Sequence, residues 1–210
     1  MNHRLESHLF WGSHSPLSSL VGVCLIIMAS ARFALALICT CALIWVYGLT
    51  VLIFSRARKL MPVQGVNLIL LFLSTFLCGV FIFILNFINP LAALGTGYFL
   101  ILIPPLLLGS GILEASKTIE PVKAFSRALL EAVVFSGIIL GMALIREPLG
   151  IGTLSFPAGI YGITEISGEA GFVPLRILSV SAGGILLFGY LIALYRFLRE
   201  RNENIQRESK

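Results

Sequence analysis

Four cysteines, three histidines and a few acids set among apolar residues are what this 210-residue sequence offers for chemistry. Thiolates and imidazoles are common ligands of zinc, copper and iron. The cysteines, however, form no C-x-x-C pair and no disulfide framework. Cys39 and Cys41 lie two apart, so a helix would point them to different faces, and Cys78 falls in a later apolar run. All three read as small apolar filler. Cys24 stands apart, just beyond a glycine in the short apolar segment Ser19–Met28, SLVGVCLIIM. His3, His8 and His14 lack an acidic or cysteine partner at ligand spacing. A terminal tail with Phe10 and Trp11 at a lipid interface accounts for them better than a metal. No Ser, His and acid arrangement points to hydrolysis, and no glycine-rich loop points to nucleotide binding.

The segment that must position Cys24 is found about 85 residues on. Tyr98–Glu120, YFLILIPPLLLGSGILEASKTIE, carries Pro104 and Pro105 side by side at its middle. Each proline inside a helix removes a donor and clashes with the preceding turn, at about 3 kcal/mol. The sequence therefore predicts a broken span, with a simple kink as the competing reading. A break is tolerated in lipid only where other spans or a cavity cover it, and paired breaks mark binding sites near the midplane. Laying SLVGVC over PLLLGS sets Cys24 opposite Ser110. Among the acids, Glu131 follows Arg127 by one turn, which favours a local interfacial pair over a proton or sodium relay. Glu114 also sits at a span's end, and Arg146 with Glu147 caps the far end of the run holding Glu131, either orienting the next loop or gating.

Composition fixes the class. With 58% hydrophobic and 12% charged residues and a mean hydropathy of +0.98, the chain reads as an all-α polytopic membrane protein. The net charge of +5 does not point to nucleic acid, because the basic residues lie between apolar runs and form no patch interleaved with aromatics. Five runs have about the 17–25 residues that cross a hydrocarbon core: Phe33–Phe54, Val66–Ile88, Leu94–Leu113, Ala128–Ile145 and Ile177–Phe197. Leu17–Ala29 makes a short sixth. Its Ala29-Ser30-Ala31 ending also resembles a signal-peptide cleavage site, with a tight helical hairpin across Arg32 as the alternative. The predicted organisation is a tail over 1–16, a six-helix membrane domain over 17–197 and a charged tail over 198–210.

Basic residues set the orientation. Twelve of the fifteen fall on the side of the termini and the second and fourth loops, leaving only Arg32, Arg146 and Arg176 opposite. Positive charge stays inside, so both termini are expected in the cytoplasm. Three spans precede the corner at Asn89-Pro90 and three follow it, so equivalent spans run in opposite directions. The expected architecture is two inverted three-helix repeats, 17–88 and 91–197, with broken first and fourth spans.

One motif carries a resemblance. Ile145-Arg146-Glu147-Pro148-Leu149-Gly150-Ile151-Gly152-Thr153-Leu154-Ser155-Phe156 resembles the IRE-x-LG-x-GTLF signature that follows the fifth span in the RnfA/RnfE and NqrD/NqrE family. These are the paired small membrane subunits of the Rnf and sodium-pumping NADH:quinone oxidoreductase complexes. Leu20-Val21-Gly22-Val23-Cys24 looks like the family's LLGLC, and Ile103-Pro104 like the IPL of its fourth span. The likeness spans about Leu20 to Phe197 and is nearer the RnfE/NqrD branch. It implies a bacterial inner-membrane subunit with cytoplasmic termini, and it argues against cleavage at Ala31.

The resemblance also implies a task. Two oppositely oriented homologous subunits would meet around one [2Fe-2S] cluster, each giving two cysteines from its half-spans. The whole complex would couple electron transfer, from ferredoxin or NADH to NAD or quinone, to Na+ or H+ translocation. Here the sequence departs from the pattern. Cys24 matches the first ligand, but Leu108-Gly109-Ser110 replaces the family's Thr-Asn-Cys, and Leu25 replaces a proline. A serine oxygen is harder and more basic than a thiolate, which favours loss of an ordinary cluster over replacement. The resulting expectation is an electron-relay or non-catalytic scaffold subunit beside other Rnf/Nqr-type subunits. The alternative from another class is a transporter or channel-like protein on the same inverted-repeat fold.

Overall fold

A computed structural model describes residues 20–57, 65–110, 121–158, 162–167 and 175–208. The three histidines and Glu114 lie outside these residues, as do residues 17–19 of the predicted first span. Leu20–Ala29 forms α1, ten residues long. At 1.5 Å per residue it covers about 15 Å, half of a hydrocarbon core. A turn at Ser30–Arg32 leads into α2, Phe33–Ala57, which returns through the full thickness. Gly65, at φ 89°, precedes α3, Val66–Ile88.

The corner expected at Asn89-Pro90 is built from local chemistry. The Asn89 side chain accepts a hydrogen bond from the Ala92 N–H at 2.9 Å, while Pro90 occupies the first turn of α4, where a missing donor costs nothing. α4 runs over Pro90–Leu100 and α5 over Ile103–Gly109. The fourth span is therefore interrupted where the sequence predicts a break or a kink, over two residues whose backbone stays right-handed helical. The break lies at Ile101–Leu102 instead of at the prolines themselves, because Pro104 and Pro105 start α5, in positions whose N–H groups no helix pairs internally.

α6, Pro121–Gly150, is longer than the predicted run at both ends and takes in Arg127, Arg146 and Glu147. α7 runs from Ser181 to Glu208, preceded by a 3-10 turn at Arg176–Leu178. It starts later than the predicted Ile177 and carries on through most of the residues expected to form a charged tail. The long loop between α6 and α7 is not bare. It holds an antiparallel hairpin, β1 Thr153–Pro157 and β2 Ile163–Ser167, with Thr153 opposite Ser167. The all-α expectation thus holds for the membrane part and fails in this loop.

Five stretches are long and apolar enough to cross a membrane: α2, α3, α4 with α5, α6 and the first 18 residues of α7, with α1 as a sixth, short apolar helix. α2 is the central element. It packs antiparallel along α6, with Phe33 meeting Glu147 at one end and Gly48 facing the Phe125 ring towards the other, and it also touches α3, α4 and α5. α1 lies against α4, α5, α6 and α7. Leu25, Ile26, Leu43, Phe99 and Leu106 join one continuous core at this meeting point. α3 and α7 stand at the rim and expose apolar side chains such as Phe72, Phe76, Phe87 and Tyr190, as spans do when lipid is the solvent.

Candidate functional site

The half-spans come first. Pro104 has no N–H to return to the carbonyl of Leu100, four residues earlier. Cys78 on α3 fills the gap: its thiol donates to the Leu100 oxygen at 3.3 Å. Cys78 is thus more than the apolar filler expected of it, since an orphaned carbonyl in an apolar interior needs a donor. Ser110 follows α5 directly, is buried, and donates its hydroxyl to the Leu107 carbonyl at 2.8 Å. Cys24 is half-buried on α1, a helix that packs against both α4 and α5. The two residues therefore sit on neighbouring half-spans, and no hydrogen bond joins them.

The signature after α6 is a latch on those half-spans. Arg146, 1% exposed, aims its guanidinium at the end of α1 and the start of α7. Nη1 donates to the Ile27 carbonyl at 2.6 Å and to Ser30 Oγ at 3.2 Å, Nε to the Leu178 carbonyl at 2.7 Å, and Nη2 to the Ser179 carbonyl at 3.1 Å. A helix leaves its last carbonyls unpaired, and here a fixed cation fills that role for α1 and also suits the negative end of its dipole. Glu147 does the converse job. Its carboxylate accepts from the Phe33 N–H, and Ser155 Oγ of β1 accepts from the Ala34 N–H at 3.2 Å, so two acceptors cap the start of α2.

Close packing seals the arrangement. The Phe33 and Phe156 rings meet edge to face at 5.4 Å. Arg32 pairs with Glu165 at 3.0 Å, tying the α1–α2 turn to β2, and Asn89 Nδ2 donates to the Gly162 carbonyl at 2.7 Å, tying the α3–α4 corner to the same hairpin. Glycines leave the room. A Cβ on Gly150 would come 3.0 Å from Ser179 N, one on Gly184 would come 3.0 Å from the Arg146 guanidinium carbon, and one on Gly183 would come 2.0 Å from the Ile177 oxygen. Of the two roles the sequence left open for Arg146 and Glu147, the geometry shows orientation of the loop and of both helix ends around it.

The profile of the family described as Rnf-Nqr subunit, membrane protein, matches residues 6–192, nine-tenths of the chain and all of the latch. The chain belongs to the Rnf-Nqr family. It is a multi-pass membrane protein of that family. No individual curated protein matches it.

A [2Fe-2S] cluster, as expected of paired Rnf-Nqr subunits, needs soft anionic ligands. This chain's donors do not fit half of one. They comprise one thiol, Cys24, and one hydroxyl, Ser110, already committed to the Leu107 carbonyl. Among the described residues no three His, Cys, Asp or Glu side chains come together as a metal-binding group.

A different set of polar atoms was not foreseen. Tyr47 Oη, Thr50 Oγ1 and Glu131 Oε1 are buried without a hydrogen-bond partner, as are Ser136 Oγ and Thr153 Oγ1. The local pair expected for Glu131 is loose: Glu131 is 7% exposed and Arg127 exposed, and the two interact electrostatically without closing a salt bridge. Only the antiparallel register of α2 on α6 brings Glu131 level with Tyr47 and Thr50, and a one-dimensional reading of α6 has no access to that.

Proposed function

We propose that this chain is a scaffold subunit of an Rnf/Nqr-type complex that couples electron transfer to Na+ or H+ translocation in a bacterial inner membrane. In this reading it stands beside an oppositely oriented homologous subunit, both its termini are cytoplasmic, and the nicotinamide, flavin and iron-sulfur chemistry resides on its partners. The observation that carries the proposal is the latch: the family signature from Arg146 to Phe156 holds the ends of α1, α2 and α7, so the chain keeps the family's half-span frame. At the same time Ser110 stands where the family pattern expects a second thiolate. The inverted repeat is supported by two short half-spans, α1 and α5, and by the antiparallel packing of α2 on α6, the second spans of the two repeats.

The test is complementation. Deleting the gene should abolish sodium- or proton-coupled electron transfer in membrane vesicles, and the wild-type chain and Cys24→Ala should both restore it. Vesicles that keep full coupling without the chain would end the subunit reading, and failure of Cys24→Ala alone would convert the scaffold into a relay.

A further inference from the structure

We propose that Tyr47, Thr50 and Glu131 form a binding site for a single dehydrated alkali cation between α2 and α6, inside the membrane toward the ends that carry Arg56 and Arg127. This rests on the membrane fold alone and survives if the subunit reading fails.

The burial is the first observation. Tyr47 is 1% exposed, Thr50 0% and Glu131 7%, and each carries an oxygen with no hydrogen-bond partner. Buried polar atoms are satisfied in the great majority of cases, so three orphans on facing helices ask for an occupant. The second observation is the register. Tyr47 and Thr50 lie three residues apart on one face of α2, and the antiparallel packing of α2 on α6 sets Glu131 at their level. Tyr47 and Glu131 interact electrostatically, the Ser110 side chain also reaches Tyr47, and the exposed Arg127 acts on Glu131 from one turn away without closing a salt bridge. Tyr47 and Thr50 are the fifteenth and eighteenth of the 25 residues of α2, and Glu131 the eleventh of the 30 of α6, which places the group within both spans and nearer the ends that carry Arg56 and Arg127.

Thr50 supplies the third observation. A hydroxyl within a helix ordinarily returns its proton to a carbonyl three or four residues back. Thr40, Ser55, Ser74, Thr75 and Thr96 all do so here, bonding to Leu37, Leu52, Leu71, Leu71 and Ala92 respectively. Thr50 does not, although its helix offers the same carbonyls, so its oxygen is held for something else.

Chemistry then selects the ligand. A carboxylate and two hydroxyls are hard oxygen donors, suited to hard cations and not to thiophilic metals. One carboxylate balances one positive charge in an apolar interior, which favours an alkali ion over a divalent one. A protonated Glu131 bonded to Tyr47 would leave one of these two atoms satisfied, and neither is.

The experiment uses the full chain in lipid nanodiscs, washed in N-methylglucamine chloride, with 22Na+ binding and thermal unfolding as readouts. The expected result is one saturable 22Na+ site per chain and an unfolding midpoint that rises with NaCl but not with N-methylglucamine chloride. Glu131→Gln and Thr50→Val keep side-chain volume and should lose at least ten-fold in affinity, with Tyr47→Phe weaker than wild type. Competition by LiCl and KCl ranks the alkali ions. A chain that binds no 22Na+ above the washed background overturns the proposal, and so does saturable binding that Glu131→Gln leaves intact. A variant that fails to fold is recognised by its elution profile and replaced by Thr50→Ser, whose retained hydroxyl should preserve binding; loss of binding in a folded Thr50→Ser chain counts against the site.

Discussion

Replacing Arg146 by methionine removes the hub of the latch while keeping most of the side chain's apolar length. Four hydrogen bonds disappear, and the carbonyls of Ile27, Leu178 and Ser179 lose this donor. A bond from a charged donor contributes about 1.5–3 kcal/mol, and each buried acceptor left unpaired costs about 1–3 kcal/mol. These figures do not add, because burying the charge was itself costly and its removal recovers part of that cost, so the three orphaned carbonyls set a net loss of about 3–5 kcal/mol. In a domain of this size each kcal/mol moves the unfolding midpoint by about 2–4 °C, so Arg146→Met should melt roughly 6–20 °C below wild type. Arg146→Lys should lose nearly as much, because an ammonium is a point charge and cannot reach acceptors on three sides as a planar fork does. The assay is thermal unfolding in detergent followed by tryptophan fluorescence, with Trp45 on α2 as reporter. An Arg146→Met midpoint equal to wild type would refute the latch.

Cys78→Ala should cost about 1–2 kcal/mol by orphaning the Leu100 carbonyl, and Cys78→Ser, which keeps a donor, should recover most of it in the same unfolding assay. Gly183→Ala, whose Cβ would lie 2.0 Å from the Ile177 oxygen, should abolish a monodisperse elution profile, whereas Gly184→Ala meets only the end of the Arg146 side chain and should stay folded with a lowered midpoint. Reporter fusions after Lys59, Arg127 and Lys210 should be cytoplasmic and one near Gly159 exported; a cytoplasmic signal near Gly159 would overturn both the charge-based orientation and the inverted repeat.

Much of the frame was legible in the sequence because lipid leaves few options. Runs of about 20 apolar residues must be spans, adjacent prolines must break one, and Asn89-Pro90 must turn. The break was misplaced by one turn because the prolines are compatible with a helix start, a choice settled by where Cys78 can supply a donor. The hairpin at Thr153–Ser167 was missed since its strands are short and its partner contacts, Ala34, Arg32 and Asn89, are over 60 residues away in sequence. Arg146 and Glu147 could be recognised as a motif, yet their task appeared only when α1 and α2 were found ending beside them. Glu131 was only partly read for a related reason: Arg127, its neighbour along α6, does act on it, but the polar groups it faces across the interface are on α2. Helical spacing reports contacts within an element, and every residue that the sequence misjudged acts between elements.

The central claim is that this chain is one subunit of an Rnf/Nqr-type complex with its redox groups on partners. The direct measurement is composition of the complex captured through a tag on this chain from native membranes in mild detergent, read by mass spectrometry together with flavin and iron content. The account predicts a homologous six-span subunit and flavin-carrying subunits in fixed ratio, with iron unchanged when Cys24→Ala replaces the wild-type chain. A tagged chain recovered alone or only with copies of itself, free of flavin and iron, would contradict it.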